Sequence, residues 1–174
     1  MRRLFLVLFP LSFMLNSCSD GEVITIDLEF SKVLSLCGDE NSTNYVVYDV
    51  KDDSPYESLT LLFSGSDSND LIFKPEVTPY EGSFSINSST KFNYRTYDGD
   101  PLELICQEIP SSIVNIIKDY SATSGTVVFS STFEDLDGTR TVISTFSVTN
   151  TDLEILNADI IELGTYTNSY PVPD

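Results

Sequence analysis

Apolar and polar residues alternate along most of this chain, the period-two signature of strands that bury one face. In Glu22–Phe30, Ile24, Ile26, Leu28 and Phe30 share one face, with Glu22, Asp27 and Glu29 among the other positions. Short β-branched and aromatic runs follow at Tyr45–Val50, Glu57–Phe63, Asp70–Lys74, Gly82–Asn87 and Lys91–Tyr97, then at Gly125–Phe133, Arg140–Thr149 and Asp152–Leu163. Turn formers separate them: Gly38-Asp39, Asp52-Asp53-Ser54-Pro55, Gly65-Ser66-Asp67, Asp98-Gly99-Asp100-Pro101 and Asp137-Gly138. Asp137-Gly138 lies between two strong strand patterns and supplies the positive φ values a tight hairpin needs. One segment has helical spacing instead. Ile113, Ile116, Ile117 and Tyr120 fall at i, i+3, i+4 and i+7, and Ser111 or Ser112 after Pro110 offers a cap. The pattern predicts an all-β protein, an immunoglobulin-like antiparallel β-sandwich with one short crossover helix between its sheets. Residues 23–165 would form the sandwich, and 166–174, with Pro171 and Pro173, a flexible tail.

The first residues follow a different logic. Arg2 and Arg3 precede an apolar run, Leu4 to Leu15, and Leu15-Asn16-Ser17-Cys18 closes it before Ser19-Asp20-Gly21-Glu22. Basic, greasy, small and then cleavable is the order of a secretory signal. The run is about twelve residues, well short of the roughly twenty a spanning helix needs, and Pro10 interrupts it. Cys18 after a small residue matches a lipobox, with Asn16 as a departure where a smaller residue is usual. Residues 1–17 are thus expected to be a lipoprotein signal peptide and Cys18 the acylated terminus, followed by an acidic tether over 18–22. Two or three acyl chains, at about 0.8 kcal/mol per buried methylene, make a stable anchor.

This stretch resembles the N-termini of outer-membrane lipoproteins of the Bacteroidota, where a short acidic tether after the Cys often accompanies export to the cell surface. Tethers in that family are richer in Asp and Glu than this one. The resemblance covers the first 22 residues and implies a lipid-anchored protein of the cell envelope, in the outer membrane and displayed at the surface. Past residue 22 the chain has only the general look of small β-rich domains of such lipoproteins, and no activity carries over.

Charge narrows the choice of partners. The chain has 9 basic and 27 acidic residues, a net charge of −18. Loss of residues 1–17 would remove Arg2 and Arg3 and no acid. Nucleic acid would be repelled, because affinity for it comes from basic groups neutralising phosphates. Anionic headgroups would be repelled as well, so membrane attachment falls to the acyl chains. An envelope protein or a glycan remains open as partner.

The residues available for chemistry are few. There is no His, which rules out Ser-His-Asp and Cys-His nucleophilic arrangements and His-ligated zinc. Cys37 and Cys106 stand 69 residues apart, each in an apolar context. In an oxidising compartment they are most simply a disulfide, the alternative being two separately buried thiols. Oxygen-rich turns offer the remaining sites. Glu134, Asp135 and Asp137 crowd one hairpin and Asp98 with Asp100 another loop, a composition that suits calcium, although Asp and Gly are also simply good turn formers. No EF-hand pattern occurs, and no other cofactor is implied. Tyr45, Tyr48, Tyr56, Tyr80, Tyr94 and Tyr97 are candidates for stacking on sugars, or strand formers with a wet hydroxyl. The resulting expectation is a non-catalytic envelope lipoprotein that binds or scaffolds. The alternatives are a surface glycan- or calcium-binding module, or an accessory domain of a carboxylate-dependent glycan hydrolase.

Overall fold

The computed structural model describes residues 29–38, 43–51, 53–65, 72–106, 113–156 and 158–172. The expected signal peptide, Cys18, the tether, the Glu22–Phe30 run as far as residue 28, and the Ser111 and Ser112 cap lie outside the described residues.

Among the described residues nine strands form two antiparallel sheets, the all-β sandwich that the alternation predicts. They are β1 (Ser35–Cys37), β2 (Asn44–Lys51), β3 (Tyr56–Ser64), β4 (Tyr80–Ser85), β5 (Thr90–Tyr97), β6 (Ile116–Ser121), β7 (Thr126–Leu136), β8 (Thr139–Thr149) and β9 (Ile160–Pro171). One sheet has the order β1-β2-β3-β5-β6 and the other β4-β7-β8-β9. The antiparallel sandwich is shared with immunoglobulin-like domains, while the strand order is this chain's own. Only β4 leaves the first half of the chain to pair in the second sheet.

Alternation explains the core. Tyr45 and Val47 of β2, Leu59, Leu61 and Phe63 of β3, and Phe92 and Tyr94 of β5 face Val127, Phe129, Phe146, Val148, Ile161 and Leu163 of the other sheet. Rings tie the layers together. Tyr45 stacks on Phe63 at 4.8 Å between centroids, Phe63 meets Phe84 edge-on at 5.6 Å, and Phe84 stacks on Phe129 at 5.4 Å. The expected hairpin forms at Asp137-Gly138, with φ of 50° and 76°, the doubly positive geometry of a type I′ turn.

Four expectations need correction. Residues Ile113–Tyr120 do not form a crossover helix, for β6 takes Ile116–Ser121 and pairs antiparallel with β5 in the same sheet. β-Branched Ile116 and Ile117 suit a strand. Cross-strand pairs outweigh a helical spacing of only two turns: Tyr94 stacks on Tyr120 at 5.9 Å, and Arg95 meets Asp119 at 3.0 Å. The helix that does form is α1 (Leu102–Ile105), within the connection between β5 and β6. Second, Ile72 and Phe73, expected in a strand, make a helical turn buried between the sheets. Its Ile72 carbonyl accepts from Ser131 Oγ at 2.7 Å and Ser144 Oγ at 2.8 Å, so the two buried serines seat the plug. Third, Tyr166–Pro171 is no tail. It continues β9 against β8 as far as the Thr139↔Pro171 pair, where Pro171 sits at a strand end on a sheet edge. Fourth, the Asp152–Leu163 run is split, with a 3₁₀ turn at Glu154–Leu156 before β9 begins.

The N-terminal strap joins the layers. Ser31 Oγ and the Lys32 N–H donate to buried Asp49 of β2 at 2.8 and 2.7 Å. On the other side, Leu34 N–H donates to the Thr165 carbonyl and Thr165 N–H to the Lys32 carbonyl. Burial pushes the Asp49 carboxyl above its ordinary value of 3.8, outweighing those donors. Folding therefore favours the protonated Asp49 carboxyl, whose share of stability is present at acid pH and lost as pH rises through its folded pKa. Asp152 behaves oppositely. It accepts from Thr123 Oγ1 and from the Thr123 and Ser124 N–H groups, clasping two connections together, and these donors hold its carboxyl below 3.8. Its contribution is present above pH 3.8 and is lost as pH falls through its folded pKa. Asp152→Asn is expected to lower the melting temperature at pH 7, and the gap from wild type should close progressively below pH 3.8. A gap that persists unchanged at pH 2 would refute this assignment.

Candidate functional site

The five-stranded sheet buries its inner face against the other sheet, and part of its outer face is covered as well. Ser58, Thr60, Asn93 and Tyr97 point outward and are 0%, 5%, 8% and 4% exposed. That burial makes β3 nearly continuous in its apolar environment, as a strand covered on both faces must be. α1 lies on this face, because its Leu104 and Ile105 line one cleft together with residues of β2, β3, β5 and β6.

The register sets the floor of that cleft in cross-strand rows. Val46, Leu62 and Lys91 form one row; Tyr48, Thr60, Asn93 and Ser121 the next; Val50, Ser58, Arg95 and Asp119 the third. Lys91, Asn93 and Arg95 therefore stand side by side on one face of β5, two residues apart. The cleft has a volume of about 240 Å³. Its described lining divides into a polar part, Thr60, Lys91, Asn93, Arg95 and Ser121, and an aliphatic part, Val46, Leu62, Leu104 and Ile105.

Electrostatics distinguish the two cations. Arg95 Nη2 pairs with Asp119 Oδ2 at 3.0 Å, while its Nε is buried with no acceptor. Burial opposes the charge of this guanidinium, but Asp119, with a smaller contribution from Tyr97, outweighs it and holds the pKa above the ordinary arginine value. Lys91 is exposed and makes no ion pair among the described residues. After Asp119 has balanced Arg95, the described lining of the cleft retains one positive charge, in a chain of net charge −18.

The roof is held at both ends. At its base, Asp98 accepts from the Asn115 N–H at 2.7 Å and from Asn115 Nδ2 at 2.8 Å, which holds its carboxyl below the usual range. Asp100 Oδ1 accepts the Leu102 N–H at 2.9 Å and sets the start of α1. At the far end Cys106 is bonded to Cys37 of β1, with Cα atoms 5.2 Å apart, so the expected disulfide pairing has a specific job. It staples the end of α1 to the edge strand.

The acidic turns proposed for calcium are not assembled. Among the described residues no three Asp, Glu, Cys or His side chains gather as a metal site. Glu134 and Asp135 are neighbours on β7 and so point to opposite faces, while Asp137 lies in the turn beyond. Asp135 is held bidentately by Arg140 at 2.7 and 2.8 Å, with that guanidinium 3.8 Å over the Phe133 ring. Asp98 and Asp100 spend their oxygens on the α1 loop, as described. The sugar-stacking tyrosines also fall away, since Tyr45, Tyr48, Tyr94 and Tyr97 are buried and only Tyr56 and Tyr80 are partly open. Two of the buried hydroxyls have protein partners. Tyr94 donates to Glu57 at 2.8 Å, and Tyr97 shares a 2.8 Å hydrogen bond with Ser58.

Sequence reading passed over Lys91 and Arg95 because their alternation with Phe92 and Tyr94 looks like an ordinary solvated strand face. The available signal was charge: two of nine basic residues four positions apart in an acidic chain. Fold and site together define a disulfide-stapled β-sandwich with a roofed, polar cleft on one sheet. No family model, curated protein or solved structure matches this chain.

Proposed function

We propose that this protein is a non-catalytic, lipid-anchored protein of the cell envelope whose sandwich serves as a binding module. The observation that carries the location is the sequence Leu15-Asn16-Ser17-Cys18 at the end of an apolar run too short to span a bilayer. A Cys37–Cys106 pair at bonding distance supports an oxidising compartment, the setting in which such cross-links persist. Among the described residues no helix is long and apolar enough to cross a membrane. Resemblance of residues 1–22 to Bacteroidota lipoproteins supports the outer membrane and the cell surface.

Binding in preference to catalysis is supported by composition and by the cleft. With no His, a histidine general base is unobtainable. The cleft presents cations, an amide and hydroxyls, groups suited to holding a ligand. Of the alternatives, a glycan-binding module is favoured by this cleft, whereas the acidic turns give calcium no assembled site.

Intact mass and labelled-palmitate incorporation, measured in a bacterium that processes lipoproteins, test the anchor. The wild-type product is expected to begin at Cys18 with acyl chains attached. Cys18→Ser should lose all label and appear in the soluble fraction. A mature product that keeps Arg2 and Arg3, or a labelled Cys18→Ser protein, would overturn the reading.

A further inference from the structure

We propose that the cleft beneath α1 binds a small monoanionic ligand, a carboxylate or sulfate group carried on a scaffold about the size of one sugar ring. This deepens the binding half of the proposed function and is independent of the lipid anchor. Four observations converge on it. First, charge is concentrated against the trend of the molecule: Lys91 and Arg95 face one cleft in a chain with 27 acids, and no carboxylate is among its described lining residues. Asp119 offsets one of the two cations, which leaves a single positive charge among the described lining residues to match a monoanion.

Second, hydrogen-bonding capacity is unspent. Arg95 Nε is buried without an acceptor, an arrangement that costs free energy until an oxygen reaches it. An anion supplies that oxygen, and a guanidinium binds carboxylate and sulfate through several N–H groups at once. Third, the remaining lining suits a ligand with two characters. Asn93, Thr60 and Ser121 would meet hydroxyl or amide groups, while Leu62, Leu104, Val46 and Ile105 would cover an apolar flank. Sugar rings have this split between polar edge and apolar face. The volume of about 240 Å³ is below the range for drug-sized ligands, so a single ring is the natural occupant.

Fourth, the site is preorganised. Its floor is a paired sheet, and its roof is fixed by the Asp98–Asn115 clasp and by the Cys37–Cys106 bond. A rigid site loses little conformational entropy on binding.

The test titrates the mature protein, purified in non-ionic detergent, with glucuronate, glucose and inorganic sulfate. Calorimetry would give the affinities, and backbone amide shifts the location. Glucuronate is expected to bind at millimolar concentration or tighter and to shift the amides of Lys91, Asn93, Arg95 and Ser121, whereas glucose should not bind. Lys91→Gln should weaken glucuronate by about tenfold with an unchanged melting temperature, a surface change of one charge. Arg95→Gln should abolish binding, and its Asp119 partner makes the Lys91 variant the control for folding. If sulfate binds at the same amides and glucuronate does not, the ligand group is a sulfate monoester; the reverse identifies a carboxylate. The proposal fails if neither anion binds, if glucose binds as well as glucuronate, or if binding is indifferent to both substitutions.

Discussion

Replacing Cys37 and Cys106 together by alanine is expected to lower the free energy of unfolding by about 4 kcal/mol, because the bond closes a 69-residue loop. In the chain-entropy account the cross-link removes conformations from the unfolded state, so the loss should appear as a lower denaturant midpoint. The unfolded chain of the variant would also expand further, raising the m-value. Position adds to the effect. Cys106 follows α1 directly, and without the bond the roof would lose its tie to β1 and keep the Asp98–Asn115 clasp at its other end. Amides of α1 should then exchange faster than those of β3 and β5 beneath, since local opening tracks local stability. Urea titration of wild type and double variant, with hydrogen exchange on both, measures the two effects. A stability change below about 1 kcal/mol, or equal protection of α1 in both proteins, would show that the staple is incidental.

Gly164→Ala is expected to cost about 3 kcal/mol, although it adds only one methyl group. Gly164 has a φ of 127°, a region L-residues avoid, and an added Cβ would collide with the backbone of Lys32. Backbone cannot rotate away as a side-chain tip would. The N-terminal strap would have to lift from β9, breaking the hydrogen bonds between Thr165 and both Lys32 and Leu34. Those bonds, with the Ser31 and Lys32 donors to Asp49, connect the strap to both sheets. A melting curve of the variant checks the prediction, and proteolysis near Lys32 reports the strap itself. Wild-type stability with unchanged cleavage would mean that the strap does not need this glycine.

β-Branched and aromatic runs at Tyr45–Val50 and Glu57–Phe63, and the alternation of Phe92 and Tyr94 with polar neighbours, made these strands legible, since strands favour such residues and read a period of two directly. Asp137-Gly138 was legible because few residue pairs accept its backbone. Ile113–Tyr120 misled, as its spacing fits a helix and its β-branched residues a strand. Only pairing with β5 decided between them. Tyr166–Pro171 misled for a related reason, since two prolines imply a loose end unless a neighbour such as β8 is there to pair.

By itself the sequence determined the all-β class, the position of most strands, the Asp137-Gly138 hairpin turn and the plausible partner of Cys37, because each follows from local periodicity, backbone preference or the count of a rare residue. Tertiary structure alone decided that the acids of the β7–β8 hairpin point apart, that Ile72 and Phe73 plug the core, and that α1 roofs the outer face of a sheet. It also brought Lys91 and Arg95 under that roof. The physical reason is that a site is a matter of which faces meet across tens of residues, and strand alternation specifies faces without saying what will cover them.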